Sequence, residues 1–171
     1  MKIEELERIF GERPGIIGVV HLKPLPGSPL YRYLGEVWKS ALKDAETLKK
    51  GGVSGLIIEN YGDRPFTKRS VAPQVIAMMS VIAKKLKELT GLPMGINVLR
   101  NDPKAALSIA LAAEADFIRV NVHIGAYVTD QGLIEGNAYE TLRFRREIDA
   151  TGIKIFADVS VKHAFPMREI E

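Results

Sequence analysis

The sequence predicts an α/β domain built on a parallel sheet with helices on its outer side. Three observations predict it. Short apolar, β-branched runs alternate with amphipathic helical patterns along the chain. Three of the four intervals between successive runs are about 35–40 residues, the size of one strand–helix unit with its loops. The links from helix back to strand are short and bland (GGVSG, TGLP, AEAD, TGIK), whereas the links from strand to helix are longer and carry most of the reactive side chains. Strands joined through crossover helices run parallel.

Each element has its own signal. Ile3, Leu6, Ile9 and Phe10 recur at helical spacing and predict a helix over residues 2–10. IIGVVHL gives the first strand, residues 16–22. Val37, Ala41, Leu42, Ala45 and Leu48 form one face of a helix over 36–50, stopped by Gly51-Gly52. The second strand spans 55–60. A helix over 73–90 opens on Pro73, which suits a first turn, and ends before Gly91. The third strand covers 93–99. Asp102-Pro103 reads as an N-cap and first residue of a helix over 103–114. The fourth strand covers 117–122, followed by a Gly-containing loop to about residue 136. A polar, Arg-rich helix over 137–150 and a fifth strand over 153–161 complete the series.

The 171 residues suffice for one domain with a real core, and no linker or low-complexity tract divides them, so a single domain over residues 1–171 is expected. Hydrophobic residues make up 46% and charged residues 26%, a globular balance rather than a disordered one. The absence of cysteine excludes disulfides, thiolate metal sites and a cysteine nucleophile. The start of the chain lacks the continuous apolar core of a signal peptide, and no run of about 18 apolar residues offers a transmembrane segment, so a cytoplasmic protein is expected. A net charge of +3 with no Lys/Arg block gives no sign of a nucleic-acid partner.

Parallel α/β folds build their sites at the carboxyl ends of the strands. Alternation places Arg119, Asn121 and His123 on one face of the fourth strand, and Asp158, Ser160 and Lys162 on one face of the fifth. A buried Arg119 needs a partner, and Glu59 and Asp158 are the candidates if the strands curl around a common axis. His21 and Lys23 follow the first strand as a base and a phosphate contact, or as a loop-bonded histidine and a solvated lysine. Glu59, Asn60 and Asp63 suit a divalent metal such as Mg²⁺ or a sugar hydroxyl, or else Glu59 neutralises Arg119 and Asp63 shapes a turn. Asn97 and Arg100 follow the third strand, where the planar fork of Arg100 suits an anion. Asp102 is better explained as a cap. The loop holding Thr129, Asp130 and Gln131 is either a lid or a turn. Lys162 is an anion contact or, if desolvated, an amine nucleophile. His21, His123 and His163 lie on separate strands, with no close-spaced metal-binding pair.

The segments VVHLKPLPGSP, IIENYGDRPF, GINVLRND, FIRVNVHIGAYVTDQGLIEG and ADVSVKHA, in this order over about residues 15–165, resemble the BtpA family, including its SgcQ-like bacterial relatives. The resemblance implies a (β/α)₈ TIM barrel of the ribulose-phosphate-binding type, with the five units present here forming a partial barrel of sequential parallel strands. Complete barrels of this kind run to roughly 250 residues. A C-terminally truncated form is therefore expected: a fragment, a frameshifted product, or a chain completed by self-association or a partner chain. The resemblance implies a small phosphorylated or sugar-like metabolite. His21, Glu59, Asp158 and His123 would then be the catalytic groups of an isomerase, lyase or hydrolase. Lys23, Asn60, Asn97, Arg100, Arg119, Asn121, Asp130 and Lys162 would bind the ligand. A photosynthetic member associated with photosystem I implies the alternative of a non-enzymatic assembly or stability factor. An open flavodoxin-like sheet is a third reading. Strand order 2-1-3-4-5 would mark that fold, and sequential order a partial barrel.

Overall fold

The computed structural model describes residues 3–11 and 15–168. Helix α1 (Ile3–Phe10) precedes β1 (Ile17–His21), α2 (Leu34–Lys50), β2 (Gly55–Glu59), α3 (Pro73–Thr90), β3 (Met94–Asn97), α4 (Pro103–Ala112) and β4 (Phe117–Val120). A hairpin, β5 (Ala126–Thr129) and β6 (Gly132–Glu135), then leads to α5 (Ala138–Glu147), β7 (Lys154–Ala157) and β8 (Phe165–Pro166). Residues 1, 2 and 12–14, on which part of the expected first helix falls, lie outside the described residues.

The five-stranded sheet has the order β1-β2-β3-β4-β7, and all its pairs are parallel. Sequential order fits the curled, partial-barrel arrangement and contradicts the flavodoxin-like order. One recess of about 290 Å³ is lined by Ile17 and Val19 of β1 together with Phe156, Ala157 and Asp158 at β7, so the two outermost strands face a common concavity. The convex side packs Val20, Leu56, Ile58, Met94, Ile96, Ile118 and Val120 against α2, α3 and α4. This is the main core, and it follows from the strand alternation read in the sequence.

Signals for the helices hold with small shifts. Pro73 and Gly91 bound α3 as expected, with Gly91 in the left-handed region at φ +65°. Asp102 caps α4 by accepting the Ala105 N–H at 3.0 Å. Expected strands over 117–122 and 153–161 overreach, because pairing stops at Val120 and Ala157. Past Val120 the Val122 N–H donates to Asn101 Oδ1 rather than to a neighbouring strand. The loop expected up to residue 136 is instead the hairpin β5–β6. With β8 it makes an antiparallel sheet of order β6-β5-β8, packed on Val122, Tyr127, Ile134 and Val161.

The concave face is closed at its amino end by aromatic rings. Phe10 of α1 meets Phe117 edge-on at 5.6 Å, and Phe117 stacks on Phe156 at 4.6 Å. Lys154 ties down the same helix through Glu5 at 2.8 Å. Gly95 pairs in register with Phe117, and the Phe117 ring lies where a side chain at Gly95 would be. A larger recess of about 430 Å³ at the amino end of the sheet is lined by Lys84, Lys87, Glu114 and Asp116. Its charges pair with one another, Lys84 with Glu114 and Lys87 with Asp116.

A Cβ at residue 95 would sit 2.1 Å from Phe117 Cε2, so Gly95→Ala forces the ring or the strand to move. We expect that variant to lose about 1–3 kcal/mol, the usual cost of overpacking. Urea unfolding of both proteins measures it, and an unchanged midpoint would refute the packing account.

Candidate functional site

The carboxyl ends of β1, β2, β4 and β7 meet around one guanidinium. Arg119 Nε and Nη2 donate to Asp158 Oδ1 and Oδ2, both at 2.9 Å. Its Nη1 donates to Glu59 Oε1 at 2.8 Å. The Asp158 contact is a two-pronged fork on one carboxylate, the geometry that suits guanidinium best. Glu59 is 5% exposed, so its charge is viable only because Arg119 faces it. The two acids, led by Asp158, which accepts hydrogen bonds from it, hold the Arg119 guanidinium more firmly protonated than usual. The other oxygen, Glu59 Oε2, lies 3.4 Å from Nε2 of His21, its register neighbour on β1. His21 is half exposed and is the solvent-facing end of this chain of contacts.

His21 also stacks on Tyr61 at 4.3 Å, and the Arg64 guanidinium lies over the same ring, 4.0 Å from its centroid. Tyr61 and Arg64 were not among the expected site residues. The YGDRPF segment that holds them follows β2 directly, and an aromatic beside a cation there was the available signal.

Asparagine amides join the strand ends. Asn121 Nδ2 donates to Asp158 Oδ2 at 3.0 Å, and Asn97 Nδ2 donates to Asn121 Oδ1 at 3.1 Å and to Arg119 O at 3.0 Å. Asn60 accepts the Leu99 N–H at 2.7 Å. Asn101 both accepts from Val122 N–H and donates to Val122 O, each at 2.9 Å. Asp63 accepts the Leu25 N–H at 2.7 Å, although burial pushes its carboxyl pKa up. Asp102 reaches sideways to Val71 N–H at 2.9 Å as well as capping α4. The bonds from Asn60 and Asn101 satisfy backbone groups where strand pairing has ended. Asn97, 1% exposed, keeps its Oδ1 buried with no partner, an acceptor on the concave face beside Glu59.

The structure thus gathers His21, Glu59, Asn97, Arg119, Asn121 and Asp158, with Asn60 alongside. Among the remaining expected residues, Lys23 and Lys162 are exposed, and Asp130 sits exposed on the β5–β6 turn. His123 does not join. Because β4 ends at Val120, the expected alternation breaks, and His123 makes no hydrogen bond to Glu59, Arg119 or Asp158. Its buried Nδ1 has no partner, and burial lowers its pKa below the ordinary 6.5. Arg119 was expected to bind an anion, but three of its donor contacts are taken by acids. Arg100 is better placed for that role: its Nη2 donates to Lys162 O at 2.9 Å, and no acid pairs with it among the described residues. The same residues hold no group of three His, Cys, Asp or Glu side chains arranged for a metal ion, so the Mg²⁺ expectation gains no ligand set. No described helix is long and apolar enough to cross a membrane.

A family model described as the BtpA family matches residues 12–171. A Synechocystis protein named photosystem I biogenesis protein BtpA is 49% identical over 164 residues, covering 95% of this chain and 57% of that protein. An uncharacterized protein of Thermococcus kodakarensis is 49% identical over 161 residues, covering 94% of this chain and 61% of its own length. One from Methanocaldococcus jannaschii is 48% identical over 166 residues, with shares of 95% and 62%. The chain therefore spans less than two thirds of the length of these curated relatives.

Two outcomes follow from the charges. Arg119→Met leaves Glu59 and Asp158 unpaired. The expected loss is on the order of 3 kcal/mol, the low end for a broken buried pair because a third of the Arg119 side chain meets solvent. Denaturant unfolding checks this, with Arg119→Lys recovering only part. For His123, the folded state holds the neutral ring, so stability is full above pH 6.5 and falls as pH drops through that value. Thermal midpoints recorded across this range should fall less steeply in His123→Gln than in the parent protein.

Proposed function

The chain belongs to the BtpA family, and from that membership and the strand-end cluster we propose that it binds and processes a small, polar, sugar-like metabolite at the carboxyl ends of β1, β2, β4 and β7. The observation that carries this reading is the position of His21. It is a solvent-facing imidazole backed by Glu59, whose other oxygen is fixed by Arg119. A histidine oriented by a buried carboxylate suits proton transfer to and from a ligand hydroxyl or carbonyl. The free acceptor of Asn97 and the acids around Arg119 suit hydroxyl groups. Isomerase, lyase or hydrolase chemistry all use such a group. Sequential strands and polar strand ends support a further step, that the five units are those of a ribulose-phosphate-binding type (β/α)₈ barrel. The composition suits a cytoplasmic setting for this role.

The second reading is an assembly or stability factor for a protein complex. It is favoured by the Synechocystis relative's name and by apolar side chains on and beside the small sheet, with Val159 79% and Phe165 78% exposed.

The test is a thermal-shift panel of sugars, sugar phosphates and small carboxylates on the intact chain, with His21 followed by NMR. A binder at a hundred times its dissociation constant stabilises by about 2.7 kcal/mol, which raises the midpoint by several degrees. We expect at least one such ligand, a moved His21 signal, and loss of both effects in His21→Gln. A panel with no shift and an unmoved His21 signal would overturn the reading. Retained partner capture by a Glu59→Gln, Asp158→Asn protein would favour the assembly factor.

A further inference from the structure

We propose that Lys68, Arg69, Arg100, Lys162 and His163 form a subsite for a phosphoryl group, separate from the Glu59–Arg119–Asp158 cluster. This inference rests on the metabolite-binding reading and deepens it by naming the anionic handle of the ligand.

The subsite comes from three loops that the sequence keeps far apart. The loop after β2 supplies Lys68 and Arg69, the loop after β3 supplies Arg100, and the segment after β7 supplies Lys162 and His163. Hydrogen bonds bring these segments together. Arg100 N–H donates to Thr67 O at 3.2 Å, and Arg100 Nη2 donates to Lys162 O at 2.9 Å. Thr67 Oγ1 in turn accepts the Arg69 N–H at 3.0 Å. Lys68 extends toward the β5–β6 turn, where its Nζ lies 3.8 Å from the position of a Cβ on Gly132. Below them, Asp102 fixes the loop after β2 to the start of α4 through Val71 N–H and Ala105 N–H. The loop backbones are therefore held before any ligand arrives.

Charge decides what this node accepts. None of Lys68, Arg69, Arg100 and Lys162 is within 4 Å of a carboxylate among the described residues. The nearby acids are otherwise engaged: Asp158 with Arg119 and Asn121, and Asp102 with two backbone N–H groups. Asp130, on the hairpin turn, makes no ion pair with Lys68. Four cations without a carboxylate partner are carried on loops tied together by these bonds, and an anion bound between the loops would complement their charge. The Arg100 fork, only one of whose nitrogens is used by Lys162 O, suits two phosphate oxygens, while the lysines act as point charges. A doubly charged phosphate monoester matches this excess better than a single carboxylate. The node and His21 lie at the same end of the sheet, so a sugar phosphate can place its phosphoryl group at the rim and its hydroxyls toward Glu59 and Asn97.

The experiment titrates inorganic phosphate into the intact chain at constant ionic strength, with chloride as the reference, and follows amide and side-chain NMR signals. We expect residues 67–69, 100, 162 and 163 to move together, and the phosphate affinity of Lys68→Gln, Lys162→Gln to drop at least tenfold. Lys85→Gln, an exposed lysine on α3, should leave it unchanged. Phosphate binding no tighter than chloride, or an equal loss in Lys85→Gln, would overturn the subsite. Sedimentation with phosphatidylglycerol vesicles that disappears in the double variant would also overturn it, by assigning the same charges to a lipid surface. A neutral sugar that moves His21 while phosphate leaves the node unmoved refutes the subsite and keeps the proposed function. Phosphate moving the node while no sugar or sugar phosphate moves His21 does the reverse.

Discussion

Everything at the carboxyl end of the sheet depends on a single positive charge held between two negative ones. Arg119 projects from β4 into the concave face, where Glu59 arrives from β2 and Asp158 follows β7. Without the guanidinium, Glu59 would be a buried anion at the end of a strand whose every residue is buried, and burial of that kind is sustained only by pairing. With it, strands two places apart in the sheet order are drawn across the concavity. The pairing also has a chemical effect. Arg119 is spent on internal acids, so the positive charge available to a ligand comes from elsewhere, and His21 becomes the exposed terminus of a polarised chain running from Asp158 through Arg119 and Glu59.

The loops are held as firmly as the strands. Ladder pairing stops within one or two residues of the acidic cluster, where side chains must turn inward. Asn60, Asn97, Asn101 and Asn121 then carry the connection from strand end to strand end. A side-chain amide offers one acceptor and two donors, close to what a neighbouring peptide would offer. The result is a set of loop origins whose relative positions are fixed by short polar contacts rather than by apolar packing. Groups placed a few residues further along, such as Arg100 and Lys162, inherit that placement.

How much of this could be read from the sequence depends on the range of the interaction concerned. Alternation along 117–121 is enough to aim Arg119 and Asn121 at the same side, and burial then demands an acid, so the Glu59 and Asp158 partnerships were legible. Asp102 as a cap and Gly91 as a stop are local effects and were legible too. His123 makes none of the cluster's hydrogen bonds: alternation holds only while pairing lasts, and past the end of β4 the Val122 N–H is taken by Asn101, over twenty residues earlier in the chain. The hairpin was legible in principle: Tyr127 and Ile134 flank the polar Thr129–Gly132 turn, with Gly132 at φ +94°. It was read as loop because each strand is only four residues long. Asn60, Asn97 and Asn121 were read as ligand contacts because nothing in a sequence tells an amide that faces a ligand from one that faces the next loop.

Those asparagines set a constraint on the chemistry the chain can tolerate with age. Loss of the side-chain nitrogen turns an amide into an acid, which exchanges a donor for a second acceptor and adds a charge. At Asn101 that change would set an oxygen against Val122 O, and at Asn121 it would set a new anion against Asp158. Asparagine is among the residues that heat damages first, and a sheet joined at its carboxyl end by amides has its shortest-lived bonds there. Burial of Asn60, Asn97 and Asn121 shelters three of the four from water. The partly buried Asn101 is the place where spontaneous hydrolysis would first unfasten the mouth of the sheet.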